Sequence, residues 1–334
     1  AVACAGASPM TQNVRGALYK MAGIHNVATH PAARRQGHAK AVLTHMFALM
    51  REQGRVFSCL WPFRESFYER MGYASFPLAR RCTLHMPALA PLLRQDLGGD
   101  VDMSLIGDGF AAYRDYLAVQ PRIHGMAVFD VADVMGAQRN RFWAALARVN
   151  DETVGAMLYE LRGEQLADFT MTVQRFIYHT SPGKYLLLAW FARHATQASK
   201  VDLWLPPFAQ PETWLDDLKV SAEPVFLSPM GRVLDVASMG GMHTGPGRFT
   251  AHLSDAMCPW NNGVWRFASV EGRLEVSPAT DAECSLAMPA LAALVYGTQD
   301  PADFPIRGWG APSPALQETM RAMVPPMTPY LHES

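Results

Sequence analysis

Between positions 34 and 40 the sequence Arg-Arg-Gln-Gly-His-Ala-Lys gathers three cationic side chains, Arg34, Arg35 and Lys40, around one glycine. Gly37 has no Cβ, so a bulky anion can approach the backbone there, and guanidinium and ammonium groups form strong charge-assisted hydrogen bonds to phosphate oxygens. Ala39 keeps the turn that follows slim, and the same stretch closes on Phe67-Tyr68-Glu69-Arg70-Met71-Gly72-Tyr73. The elements that position these residues are legible. Residues 24–29 are apolar and strand-like, and Pro31 ends them. Ala39, Val42, Leu43, Met46 and Met50 recur at helical spacing, with Gly54 where a C-terminal cap belongs. Residues 56–60 read as a second strand. A helix that starts directly after a strand presents unpaired N–H groups and a positive partial charge, and phosphate oxygens bind such a helix start. Arg35, Gln36, Gly37, His38 and Ala39 occupy that start.

Composition narrows the classes of function. A chain of 334 residues predicts two or three domains, and 49% hydrophobic with 18% charged residues describes a packed globular protein. A net charge of −1 supplies no field for nucleic acid or for anionic membranes. No apolar run reaches the length that spans a bilayer. The five cysteines (4, 59, 82, 258 and 284) are odd in number, scattered and free of any CxxC pair, which predicts neither a disulfide framework nor a zinc site and fits a cytoplasmic protein. The eleven histidines form no HExxH or close cluster, so no metal is expected. The small, apolar N-terminus lacks the basic segment of a signal peptide.

Arg-x-x-Gly-x-Ala between a strand and a helix, followed by Phe-Tyr-x-x-x-Gly-Tyr with Tyr68 lying 34 positions after Arg34, resembles the pyrophosphate loop and tyrosine motif of the Gcn5-related N-acetyltransferases (GNAT). The remaining chain extends the resemblance. Residues 1–84 read as the first acetyltransferase domain, ending in a strand near 80–84. Such a domain normally has two helices and about three strands before its phosphate-loop strand, so its N-terminal part is expected to be missing. Residues 85–221 repeat the order of hairpin, strand, helix and strand without the loop, Ser181-Pro182-Gly183-Lys184 standing in its place as an ordinary helix start. Residues 222–334 form a third unit that opens at Met230-Gly231-Arg232-Val233-Leu234-Asp235-Val236 and contains Cys258-Pro259-Trp260-Asn261-Asn262-Gly263. These motifs look like the sterol-carrier-type domain of the "enhanced intracellular survival" (Eis) acetyltransferase family. The fold class expected is α/β (α+β), two tandem acetyltransferase folds plus a sterol-carrier-like α+β domain. Trp260, Trp265 and Trp309 read as aromatic core of that domain rather than as the wall of a lipid cavity.

The resemblance implies acetyl-CoA as cosubstrate and acetyl transfer to a primary amine of a small cationic molecule, such as a polyamine or an aminoglycoside, or to lysine. Arg34, Arg35, Gln36, Gly37, His38, Ala39 and Lys40 would hold the pyrophosphate. Val27, Ala28 and Thr29 would pair with the pantetheine amides as an added strand. Tyr68 is the implied general acid, its reference pKa of ~10 suiting a thiolate leaving group. The implied base is the C-terminal carboxylate, here on Ser334, although family members tend to end in an aromatic residue; His332 and Glu333 are the alternatives. A homo-oligomer, hexameric as in the family, is also implied. The rival reading is a lipid- or small-molecule-binding protein with a vestigial acetyltransferase fold, against which the intact Arg34, Gly37, Ala39 and Tyr68 argue.

Overall fold

The computed structural model describes residues 1–119, 123–130, 141–163, 169–225 and 227–331. Strand β1 (Ala3–Val14) and strand β2 (Ala17–Thr29) form an antiparallel hairpin whose two turn residues, Arg15 and Gly16, both have positive φ. That geometry matches the right-handed twist of the flanking strands. Helix α1 (His38–Glu52) carries the chain back to β3 (Phe57–Leu60), which lies parallel to β2. Leu43, Phe47 and Met50 form the buried face of α1, with Phe47 between the positions read from the spacing. Helix α2 (Glu65–Glu69) and the two-residue β4 (Ala74–Ser75) follow.

Six strands make this first sheet, in the order β4, Met230–Val233, β3, β2, β1, Ala127–Phe129. Three strands lie elsewhere than the sequence reading placed them. Met230–Val233 does not open a separate third unit: it is an antiparallel strand between β3 and β4. Residues 127–129, expected in the second domain, pair with β1 at the other edge. The strand at 80–84 moves in the opposite direction. Arg80–His85 lies in a second, seven-stranded sheet, between Val220–Pro224 and Ala198–Leu205. Its inner residues alternate between buried and more exposed, but which sheet accepts it is a matter of long-range register that no local pattern encodes.

The described residues fall into two compact units, one of 1–77, 123–130 and 227–331, the other holding the seven-stranded sheet. In the second unit, helix Ser181–Arg193 and the 3-10 segment Met86–Arg94 cover one face of the sheet. In the first unit, a four-stranded sheet (Arg273–Pro278, Gly263–Val270, Arg248–Ser254, Cys284–Ala287) packs through helix Met288–Tyr296 onto the six-stranded one. Every residue of that helix is buried, which is why the N-terminal and C-terminal parts share one core. Its last residue, Tyr296, packs against Phe76 and Phe57 with ring centroids 4.6 and 5.8 Å away, and its hydroxyl donates to Gln12 Oε1 at 2.9 Å. Each leucine buried there contributes roughly 1.5–3 kcal/mol. Among the described residues no two of the five cysteines form a disulfide. Among the described residues no helix is long and apolar enough to cross a membrane, and no group of three or more His, Cys, Asp or Glu could hold a metal ion.

A polar strap holds the C-terminal segment to this core. The buried guanidinium of Arg15 donates to the carbonyls of Val295 (2.7 Å), Leu294 (3.3 Å) and Pro325 (2.8 Å). His124 accepts the Arg15 N–H at Nδ1 (3.1 Å), faces the Tyr296 carbonyl with Nε2 (3.1 Å), and its own carbonyl accepts from the N–H of Tyr330. Burial first, then the charge of Arg15, push the His124 pKa down to about 4, against a weaker opposing effect of the Tyr296 carbonyl. A depressed pKa means that the unfolded chain takes up a proton before the folded one does. The stability present above pH ~6.5 is therefore lost as pH falls toward 4, by about 3 kcal/mol at 1.36 kcal/mol per pKa unit. His124→Gln should remove about one proton's worth of slope from denaturation free energy measured between pH 7 and 4.5. An unchanged slope would show that His124 is protonated alike in both states.

Candidate active site

The loop between β2 and α1 is built by its own backbone. His30 accepts the Ala32 N–H at Nδ1 (3.3 Å) and starts a 3-10 turn, Pro31–Ala33. Arg34 is extended, Arg35 has φ +64, and Gly37, the N-cap of α1, has φ +83 with no side-chain hydrogen bond to the helix start. That φ is one that residues with a Cβ rarely adopt, and a Cβ added at Gly37 would meet nothing within 4 Å. The space over the helix start is thus open, and its first N–H groups are without a cap. A cavity of about 640 Å³ occupies that space, walled by Val27, Ala28, Thr29, Arg34, Arg35, Gly37, His38, Ala39 and Lys40, with Phe63, Arg64 and Phe67 opposite. Arg34, Arg35 and Lys40 form no ion pair among the described residues, so their charge faces the cavity or solvent uncompensated. Gln36 is not part of the wall; its amide donates to the Ala32 carbonyl (3.4 Å) and meets His38 Nε2 (3.3 Å), which ties the loop together.

Beside the loop, β2 and β3 separate. Their parallel pairing ends at Ile24–Leu60, and β2 then bulges at Asn26, which has φ +53. Beyond the bulge Ala28 and Thr29 pair with Cys4 and Ala3 of β1 on one side only. The other edge of Val27–Thr29 carries the unpaired N–H and C=O groups that an extended ligand can use as it would a neighbouring strand. On the face of the sheet away from α1, a second cavity of about 230 Å³ lies at the same opening. It is lined by Ser8, Met10, Gly23, Ile24, His25, Asn26, Trp61 and Phe129. Ile24 is buried under α1, so His25, next along the strand, projects to the opposite face, where Nε2 lies 3.2 Å from Ser8 Oγ.

Tyr68 sits on α2, 3% exposed, its ring edge-on to Phe67, Phe63 and Tyr73 at 5.0, 5.6 and 5.9 Å. Phe63 and Phe67 line the large cavity; Tyr68 lies against them and is not part of its wall. Burial raises the Tyr68 pKa above 10.0, so the phenol keeps its proton at neutral pH. Tyr73, fully buried, is structural: its hydroxyl pairs with Ser58 Oγ at 2.8 Å. Ser334, the carboxylate candidate, and its alternatives His332 and Glu333 lie outside the described residues; the chain is followed to Leu331, which is 3% exposed within the shared core.

One element of the site was missed. Arg232 is fully buried and donates to Asp255 Oδ2 at 2.6 Å, to Cys258 Sγ at 3.2 Å and to the Met71 carbonyl. Its guanidinium also lies 4.6 Å from the Phe47 ring and 5.8 Å from that of Tyr73. Asp255 accepts in turn from the N–H groups of Met257 and Cys258 and from Asn261 Nδ2, all at 3.0 Å. The turn that follows Tyr68 is thereby pinned from behind by residues far away in the chain. An arginine inside the run Met230–Val233, otherwise without charge, was the available signal.

Residues 1–76 match the family described as an acetyltransferase (GNAT) domain, residues 108–233 match a second acetyltransferase (GNAT) domain family, and residues 237–331 match the sterol carrier protein domain. Comparison with curated proteins gave no match. Among solved structures, a GCN5-related N-acetyltransferase from Anabaena variabilis is 17% identical with a TM-score of 0.83, over 98% of this chain and 85% of that one. A GCN5-related N-acetyltransferase from Kribbella flavida is 20% identical with a TM-score of 0.80, over 99% and 84%. Eis1 from Mycobacterium abscessus is 16% identical with a TM-score of 0.74, over 99% and 86%. At these identities the likeness is one of fold.

Proposed function

We propose, from the premise that this chain is an acyltransferase joining two GNAT acetyltransferase domains to a sterol carrier protein domain in the Eis-type arrangement, that it transfers acetyl from acetyl-CoA to a primary amine. The carrying observation is the uncapped, cation-flanked start of α1 beside the one-sided edge of Val27–Thr29. Backbone N–H groups at Arg35, Gln36, Gly37, His38 and Ala39 receive the pyrophosphate, helped by Arg34, Arg35 and Lys40. Val27, Ala28 and Thr29 pair with the pantetheine amides, and the Val27 N–H polarises the thioester carbonyl. The amine enters by the smaller cavity on the opposite face, between His25 and Trp61. As its nitrogen bonds to the carbonyl carbon and the C–S bond breaks, Tyr68 gives its proton to the departing thiolate. The proton lost by the nitrogen passes to a carboxylate, which we assign to the chain's own C-terminus at Ser334. The strap through Arg15 and His124, which fixes the segment before it, supports that reading.

The acceptor we favour is a small cationic amine, of polyamine or aminoglycoside type, or a lysine side chain. The division into a first acetyltransferase domain with the cofactor site and a second without one is part of the same reading, as are a homo-oligomer of six chains, which light scattering decides, and a cytoplasmic setting, which cell fractionation decides. The test is release of coenzyme A thiol from acetyl-CoA across polyamines, aminoglycosides and lysine peptides. Wild-type protein should turn over at least one of these classes. Gly37→Glu should abolish acetyl-CoA binding in calorimetry, because it puts a strained residue and a like charge at the helix start. Unchanged affinity in that variant would remove the loop from the mechanism.

A further inference from the structure

The two large sheets share a local construction. In the first, the parallel pairing of β2 and β3 ends at Ile24–Leu60, β2 bulges two residues later, and Trp61 follows Leu60. In the second, the parallel pairing of Phe169–Tyr178 with Ala198–Leu205 ends at Val173–Leu203. The former strand then shifts register between Val173 and Arg175, and Trp204 follows Leu203. Each sheet therefore has a wedge between two parting parallel strands, with a tryptophan at its lip.

On the helix side the second wedge is closed. Thr180 caps the helix by accepting the Gly183 N–H at 3.1 Å, and a Cβ on Gly183 would come within 2.3 Å of the Val154 carbonyl oxygen, which leaves no room over that helix start. Lys184 is spent on aromatic faces, its ammonium 4.5 Å from the Tyr185 ring and 5.6 Å from that of Trp214. On the other side the wedge is open. Val173, Leu203 and Leu205 are buried under the helix, so the neighbouring positions face outward. There Arg81, Arg162, Thr172, Gln174, Arg175 and Trp204 line a cavity of about 400 Å³. Arg81 pairs with Asp202 at 2.7 Å and Arg162 pairs with Glu160. Arg175 has no acidic partner among the described residues and spends one N–H on the Gln174 carbonyl at 3.1 Å.

The corresponding cavity of the first sheet has no arginine on its wall. A cationic amine suited to that one is repelled by this one, so the second cavity is not a duplicate acceptor pocket. We infer that the second sheet's open wedge is a binding site for a small planar organic anion, a ring bearing one carboxylate or phosphate group. The Arg175 guanidinium forks onto the anionic group, whose geometry it matches in two parallel hydrogen bonds. Trp204 offers its face to the ring, and Thr172 and Gln174 supply neutral hydrogen bonds.

Calorimetry on the full chain with benzoate and phenyl phosphate, against benzamide and benzylamine, tests this. At least one of the two anions should bind, the tighter of them identifying the preferred head group, and the neutral and cationic analogues should not. Arg175→Ala should weaken the anion by ~10-fold or more, Arg175→Lys should restore part of that loss, and Trp204→Ala should weaken it several-fold. Both side chains are partly exposed, so the melting temperature of each variant should stay near the parent's and serves as the folding control. Gly37→Glu and added coenzyme A should leave the affinity unchanged, which separates this cavity from the α1 loop. No saturable heat with either anion, benzamide binding as well as benzoate, full affinity in Arg175→Ala, or competition by coenzyme A would each overturn the assignment.

Discussion

Arg232→Met should lower the stability of the unit that carries the site by about 3–5 kcal/mol, as expected when one partner of a buried ion pair is removed. The arginine is fully buried, and Asp255, 4% exposed, would be left with a charge compensated only by three N–H donors. The Met71 carbonyl would lose its donor as well. The double variant Arg232→Met/Asp255→Asn removes both charges and should recover most of the loss, because the penalty comes from the stranded carboxylate rather than from a missing attraction. Urea denaturation of the two single variants and the double closes this cycle. A single-variant effect below about 1 kcal/mol, or no recovery in the double, would show that Asp255 is neutral or solvated. Met71 lies three residues past Tyr68, and its N–H donates to the Tyr68 carbonyl at 2.8 Å, so Arg232→Met should also reduce turnover at temperatures where the fold survives.

Tyr68→Phe should lower kcat by ~10²-fold or more and leave acetyl-CoA affinity nearly unchanged, since a proton given only in the transition state does not contribute to ground-state binding. The phenylalanine keeps the ring packing against Phe63, Phe67 and Tyr73, so folding is not at issue. The raised pKa of the phenol places the alkaline limb of wild-type activity above pH 10.0 where Tyr68 sets it. Turnover within twofold of wild type would make Tyr68 a packing residue and give the proton to water.

The residues of the proposed cofactor loop can be read from the sequence because their signals are local. A glycine at a helix start, three cations within seven residues and a helical repeat of apolar positions all fall inside one strand–loop–helix segment. Gly37 is informative for a second reason that only the backbone shows, its φ of +83. What was not legible depends on distance along the chain. Nothing in Met230–Val233 names β3 and β4 as its neighbours, and nothing in Arg80–His85 says that it leaves the first sheet for the second. Arg232 could be recognised as an odd charge in a strand, but Asp255 as its partner could not. The cavity between His25 and Trp61 needs the bulge at Asn26, which the sequence shows only as one more polar residue in a run.

The place of Met230–Val233 has a consequence for synthesis. The strand fills the gap between β3 and β4, both made long before it, so the first sheet stays open while residues 76 to 229 leave the ribosome. The seven-stranded unit lies wholly within that interval and can mature first, although the N-terminal segment is translated ahead of it. Until the strand and then helix Met288–Tyr296 arrive, the nascent chain exposes Phe57, Tyr73 and Phe76 along a raw strand edge. Such long-range pairing slows folding and lengthens exposure to aggregation. Residues 1–76 are thus translated ahead of the strand that completes their sheet, which makes that unfinished sheet, rather than the completed one, the natural client of a chaperone.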